Sequence, residues 1–208
     1  MILKGQNREG ASEPLLYGLV LAGGKSVRMG NDKSVMQWHG KEQRYYMADM
    51  LADVCDDLYI SCREEQQGEL DSSYKTITDN WEGAGPLIGI LSAFSANENV
   101  AWLVVACDLP LMDRDALQYL IAHRNLAGMA TTFQSPHDGL PEPLITIWEP
   151  SAFGLLKQHI ADGFKCPRKA LIRNEQLVKV LLPPDEQALM NANTPEDAAR
   201  VSAILGSA

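Results

Sequence analysis

The sequence predicts an α/β protein, a doubly wound and mostly parallel sheet flanked by helices. Short apolar runs alternate along the chain with segments whose apolar residues recur at helical spacing. The runs are apolar almost without a break, as in VAWLVVAC at 100–107, which suits strands covered on both faces. A glycine-rich basic stretch, LAGGKSVRMGNDK at 21–33, follows directly on the first run, where an open α/β sheet holds its ligands.

Taken in order, residues 1–14, MILKGQNREGASEP, mix Gly, Ser, Asn, Glu and Pro and are expected to be a loosely ordered lead-in to one domain over 15–208. Strands are expected at 15–22, 57–62 (DLYISC), 74–78, 100–107, 128–133, 144–148 and 177–182. A helix is expected at 43–54, where Met47, Met50, Leu51 and Val54 fall on one face. Further helices are expected at 86–94, 113–123, 151–160 and 195–205. GFKCPRKAL at 163–171 reads as a solvated helix start, and WHGK around His39 as the turn of a hairpin. His123, His137 and His159 have no spacing that suggests catalysis, so surface or capping roles are expected for them.

A chain of 208 residues, 46% hydrophobic and 22% charged, can bury one good core. Its net charge of −9 excludes nucleic acid and anionic membrane as general partners, since both need a broad positive field. A bound anion must therefore meet a local reversal of charge. Cys55, Cys62, Cys107 and Cys166 form no CxxC pair and read as reduced thiols. With no apolar leader and no run of transmembrane length, the expectation is a soluble, cytoplasmic protein.

The stretch at 21–33 supplies the reversal: Lys25, Arg28 and Lys33 stand against Asp32 alone. Gly23 and Gly24 let backbone N–H groups approach phosphate oxygens with no Cβ in the way. It is neither of the common phosphate loops. GKS occurs at 24–26, but the glycine before it, Gly18, is one residue too distant for a P-loop, and GxGxxG is absent.

LAGGKSVRMGNDK resembles the LAGGxSxRMGxDK signature of the MobA-like nucleotidyltransferases, the family of molybdenum cofactor guanylyltransferase. GPLIGILSAF at 85–94, VVACDLPLM at 104–112 and NANTPED at 191–197 extend the resemblance over most of the chain, in the family's order. It implies a nucleotidyltransferase fold and transfer of a guanylyl group from GTP to molybdopterin carrying molybdenum, with Mg²⁺ as cofactor. Molybdenum-insertion proteins or recipient molybdoenzymes are the partners it implies for the product.

The residues carry this reading unequally. Asp108, after WLVVAC, should emerge at the carboxyl end of a central strand; the resemblance makes it the Mg²⁺ ligand, and Asp113 is the better cap for the next helix. Asp79, in KTITDNW, would bind nucleotide or metal, or simply form an Asp-Asn turn. Gly85 and Pro86 make a tight strand-to-helix turn to which the resemblance adds nucleotide contact. Leu21, Ala22, Gly23, Gly24, Lys25 and Arg28 are assigned to the nucleotide by the same resemblance, and Lys33 to nucleotide binding and electrostatic catalysis. Thr194, Pro195 and Asp197 are explained as a helix cap; Asn191 and Asn193 are not, and the resemblance puts them near the acceptor. Arg168 and Lys169 are second-rank candidates for its phosphate.

The match departs at Ser61-Cys62-Arg63, where guanylyltransferases often carry asparagine, and at Glu42, which replaces a proline and should alter only a helix start. Gly23 favours guanine, because cytidylyl-transferring relatives more often have alanine there. A cytidylyltransferase, a transferase with another acceptor, and a non-catalytic nucleotide-binding regulator are the competing readings. Lys33 and Asp108 count against the last.

Overall fold

The structure, a computed structural model, describes residues 13–23 and 33–206, with the side chain of Lys33 outside the description. Gly24, Lys25, Arg28 and most of the expected lead-in thus lie outside the described residues.

Seven strands form one sheet: β1 (Leu16–Leu21), β2 (Asp57–Cys62), β3 (Thr76–Thr78), β4 (Ala101–Ala106), β5 (Ala130–Gln134), β6 (Pro141–Trp148) and β7 (Val178–Leu181). Their order is β3-β2-β1-β4-β6-β5-β7, and β6 alone runs antiparallel to its neighbours. From β1 the chain winds outward through β2 to β3, then returns to place β4 on the other side of β1. The direction of winding reverses between β1 and β4, and in such a sheet ligands bind beyond the carboxyl ends at that reversal.

Helices α1 (Gln43–Ala52), α2 (Pro86–Ala96), α3 (Arg114–Ala122), α4 (Ala152–Ala161), α5 (Pro167–Arg173) and α6 (Pro195–Leu205) complete the regular structure, with short 3₁₀ turns between them. Two hydrophobic clusters lie on opposite faces of the sheet. Leu103 and Val105 of β4 pack with Met47 and Leu51 of α1 and Leu117 and Leu120 of α3. Trp102 and Val104 turn to the other face, against Ile90 and Phe94 of α2, Leu156 of α4 and Leu171 of α5. Because side chains alternate along a strand, a strand buried on both faces must be apolar throughout, and every residue of β4 is buried.

Glycines bring α2 close to the sheet's carboxyl edge. Gly85, at the N-cap, has φ 106°, a conformation that L residues rarely adopt, and Pro86 follows at the first helical position. A Cβ on Gly89 would sit 2.7 Å from Ser61 Oγ and 2.8 Å from Leu21 Cδ2, so only glycine permits this approach.

Beyond shifts of one or two residues at the ends of most elements, three differences from expectation bear on the site. β3 is shorter, as suits an edge strand paired on one side only. β6 begins at Pro141 rather than 144; its prolines lie beyond Ile145, its last residue paired with β4, so they remove no hydrogen bond from that ladder. GFKCPRKAL holds a complete helix, α5, with Pro167, Ala170 and Leu171 buried.

Candidate active site

Of the residues singled out in the sequence, Leu21, Ala22, Gly23, Asp79 and Asp108 lie at or just beyond the carboxyl ends of β1, β3 and β4. β1 ends at Leu21, whose carbonyl accepts from Cys107 N–H at 3.4 Å, and Ala22 N–H donates to the Ser61 carbonyl at 3.0 Å. Leu21 and Ala22 are thereby fixed between β2 and the end of β4. Gly23 follows, facing Arg63.

Asp108 lies two residues beyond the end of β4, and three distant segments tie down its loop. Ala192 N–H donates to the Asp108 carbonyl at 2.9 Å. Gln43 Nε2 donates to the Leu109 carbonyl at 3.3 Å. His39 Nε2 bonds the Pro110 carbonyl at 2.8 Å while its ring stacks on Tyr46 at 3.8 Å. The turn expected at His39 is present, with Gly40 at φ 71° and a bridge between Gln37 and Glu42, and it also props the Asp108 loop. Asp113 caps α3 by accepting from Ala116 N–H at 2.8 Å, as expected.

The bond from Ala192 places Asn191 and Asn193, its neighbours, beside Asp108. This segment is held in turn by α6. Thr194 Oγ1 accepts from Asp197 N–H at 3.1 Å, and Asp197 Oδ2 accepts from Asn193 N–H at 3.1 Å and Thr194 N–H at 3.0 Å. Burial pushes the Asp197 carboxyl up, but the bonds from Thr194 and Asn193 outweigh it and hold it below the usual range.

Asp79 follows β3 directly, its N–H donating to the Cys62 carbonyl at 3.1 Å and its Oδ1 accepting from Ser61 Oγ at 3.5 Å. Burial raises its carboxyl above the ordinary value despite Ser61 and Arg63. Lys33 begins a 3₁₀ turn, Lys33–Val35.

On the far side of Asp108, an open cleft of about 420 Å³ is lined by Pro86 of α2, Glu142 and Leu144 of β6, and Lys165, Cys166 and Arg168 before and within α5. Arg168 donates from Nη1 to Asp138 and from Nη2 to Glu142, both at 2.8 Å. Lys169 lies elsewhere, its Nζ 6.0 Å above the Phe164 ring. His159 is buried in the last turn of α4, bonded through Nε2 to the Cys166 carbonyl at 3.1 Å; it is an internal anchor rather than a surface residue.

Glu142 is the residue that sequence reasoning missed. It stands between two prolines in PEPLITIW, where no periodicity marks it. Val105 pairs with Ile145 in the antiparallel register, and continuing that register brings Glu142 opposite Asp108. Burial raises the Glu142 carboxyl, and the negative charge of Asp108 raises it further, against the pull of Arg168.

Among the described residues no three His, Cys, Asp or Glu side chains cluster as a metal cage. Mg²⁺ does not require one: it commonly takes one or two carboxylates and completes its shell with water and substrate phosphates. Asp108, a hard oxygen donor at the mouth of the crevice with Oδ1 enclosed and another carboxylate nearby, fits that role.

The profile of a family described as MobA-like NTP transferase domain matches residues 18–178. A molybdenum cofactor biosynthesis bifunctional protein of Synechocystis is 35% identical over 204 residues, covering 97% of this chain but 58% of that protein's length. A molybdenum cofactor guanylyltransferase of Ectopseudomonas mendocina is 31% identical, covering 88% of this chain and 90% of its own. The crystal structure of molybdopterin-guanine dinucleotide biosynthesis protein A from Archaeoglobus fulgidus has a TM-score of 0.75 at 24% identity, covering 92% of this chain and all of that one, which establishes the fold.

Proposed function

The chain belongs to the MobA-like NTP transferase family, and on that premise we propose that it transfers a guanylyl group from GTP to the phosphate of molybdenum-bearing molybdopterin, releasing pyrophosphate. The observation that carries this reading is the hydrogen bond from Ala192 N–H to the Asp108 backbone carbonyl: it ties the segment proposed for the acceptor to the end of β4, next to the carboxylate proposed for Mg²⁺.

An oxygen of the acceptor phosphate attacks the α-phosphorus of GTP, the bond to the β-phosphate oxygen breaks, and pyrophosphate leaves with the electron pair. The acceptor is already anionic near neutral pH, so no protein nucleophile is required. The chain must position two anions and stabilise the charge that gathers on the α-phosphoryl oxygens and the leaving group. Backbone at 21–24 cradles the phosphates, Lys25 and Arg28 add charge, and Lys33 acts on the transition state. Asp108 holds Mg²⁺, which supplies Lewis-acid neutralisation of phosphate charge when bound. Asn191, Asn193 and Arg168 orient the acceptor, and Gly23 leaves room for guanine.

The test is pyrophosphate release with GTP or CTP, each with and without molybdopterin. Release should require GTP and acceptor together. Equal release with CTP would defeat the guanine assignment, and binding of GTP with no release in any mixture would make the protein a nucleotide-binding regulator.

A further inference from the structure

We propose that Glu142 is a positioning residue for the transfer: with Asp138 it holds the Arg168 guanidinium so that its remaining N–H donors face the anionic group of the acceptor. This rests on the cleft being the acceptor side of the proposed reaction.

Glu142 is itself held rigidly. Its carbonyl oxygen lies 2.6 Å from Thr132 Oγ1 and 2.7 Å from Thr146 Oγ1, and the two hydroxyl oxygens lie 2.9 Å apart, a triangle in which the two hydroxyl protons make two hydrogen bonds. Both threonines are fully buried, on adjacent antiparallel strands, so the start of β6 is clamped beside Asp108. From this base Glu142 reaches Arg168 Nη2, while Asp138, in the loop between β5 and β6, takes Nη1. A guanidinium carries five N–H donors in a fixed plane, and two carboxylates in that plane fix its rotation while leaving the other donors for a ligand.

Electrostatics argues against a mere latch between strand and helix. Glu142 lines a cleft whose cations, among its lining residues, are Arg168 and Lys165; Asp138 pairs with the same Arg168, and the charge of Asp108 is felt at Glu142. Carboxylates beside an anion site oppose binding, and an apolar contact could join β6 to α5 without that cost. Their presence is explained if orientation of Arg168 is worth more to the reaction than the charge they add.

The variants Glu142→Gln, Asp138→Asn and Arg168→Gln, with each carboxylate variant also combined with Arg168→Gln, decide the matter. The readouts are kcat/KM for the molybdopterin acceptor and Kd for GTP. Glu142→Gln should lower kcat/KM for the acceptor about tenfold or more, the effect of losing a charged hydrogen bond, and leave GTP affinity within about twofold. In the Arg168→Gln background neither carboxylate substitution should cost anything further, because each acts only through Arg168. Losses that multiply in the combined variants, or unchanged acceptor kinetics in Glu142→Gln, would overturn the inference. If Glu142→Gln does not fold, Asp138→Asn, at an exposed loop residue, carries the same comparison. No transfer to this acceptor by the unaltered protein would overturn the reading of the cleft and the inference with it; transfer with multiplying losses would overturn the inference alone.

Discussion

The Asp108 loop is held by hydrogen bonds to its own carbonyl and to those of Leu109 and Pro110. Asp108→Asn keeps size and removes charge; turnover should fall by about two orders of magnitude or more while the melting temperature stays put. Activity retained in a well-folded variant would move the metal ligand elsewhere, with Asp79 the first place to look. Lys33→Ala should lower kcat about a hundredfold but GTP affinity far less, because its charge acts mainly on the transition state; an equal loss in both would make it a binding residue. At Gly23 a Cβ would lie 3.7 Å from Arg63 Cγ and Arg63 N, an ordinary contact, so Gly23→Ala should fold normally. Its preference for GTP over CTP, measured by calorimetry with Mg²⁺, should narrow, and an unchanged ratio would remove Gly23 from base selection. Asp108 was legible because an unbroken apolar run ends in an acid, which puts a charge at a strand's carboxyl end. Glu142 was not, because its partner is set by strand register between segments far apart in sequence.

Among the elements, α4 and the start of α5 are joined by the bond from His159 to the Cys166 carbonyl, and the burial of His159 sets a pH dependence. Burial lowers the His159 pKa below the ordinary 6.5, against the Cys166 bond, which raises it. The unfolded chain therefore binds this proton more tightly than the folded one. The neutral ring's contribution to stability is fully present above about 6.5 and is lost as pH falls from there through the folded value. His159→Gln, which keeps an N–H for Cys166 and cannot ionise, should flatten the fall in melting temperature below pH 6.5; an unchanged slope would assign it to other groups. Element boundaries were legible where local chemistry sets them. β2 and α6 match expectation to the residue, the latter because Thr194, Pro195 and Asp197 spell its start. α5, at seven residues, is too short to show a period, and the antiparallel course of β6 depends on pairings that no local pattern displays.

At the scale of the whole molecule, the proposed reaction has a chain of net charge −9 bring two anionic substrates together. Sheet order is suited to this: β1 and β4 are neighbours, so Gly23 and Asp108 follow adjacent strands where the winding reverses, and β6 brings Glu142 in from the other direction. The fold class was legible from alternation and apolar runs; that β6 and α5 wall a cleft near Asp108 was not, because it depends on pairings between distant segments. In the proposed reaction these parts serve one step, attack on the α-phosphorus of GTP by an acceptor phosphate. Single-turnover reactions with molybdopterin and GTP labelled at either the α- or the γ-phosphate test that most directly. The account predicts α-label in the acceptor product and γ-label in pyrophosphate; γ-label on the acceptor, or α-label released only as free GMP or GDP, would contradict it.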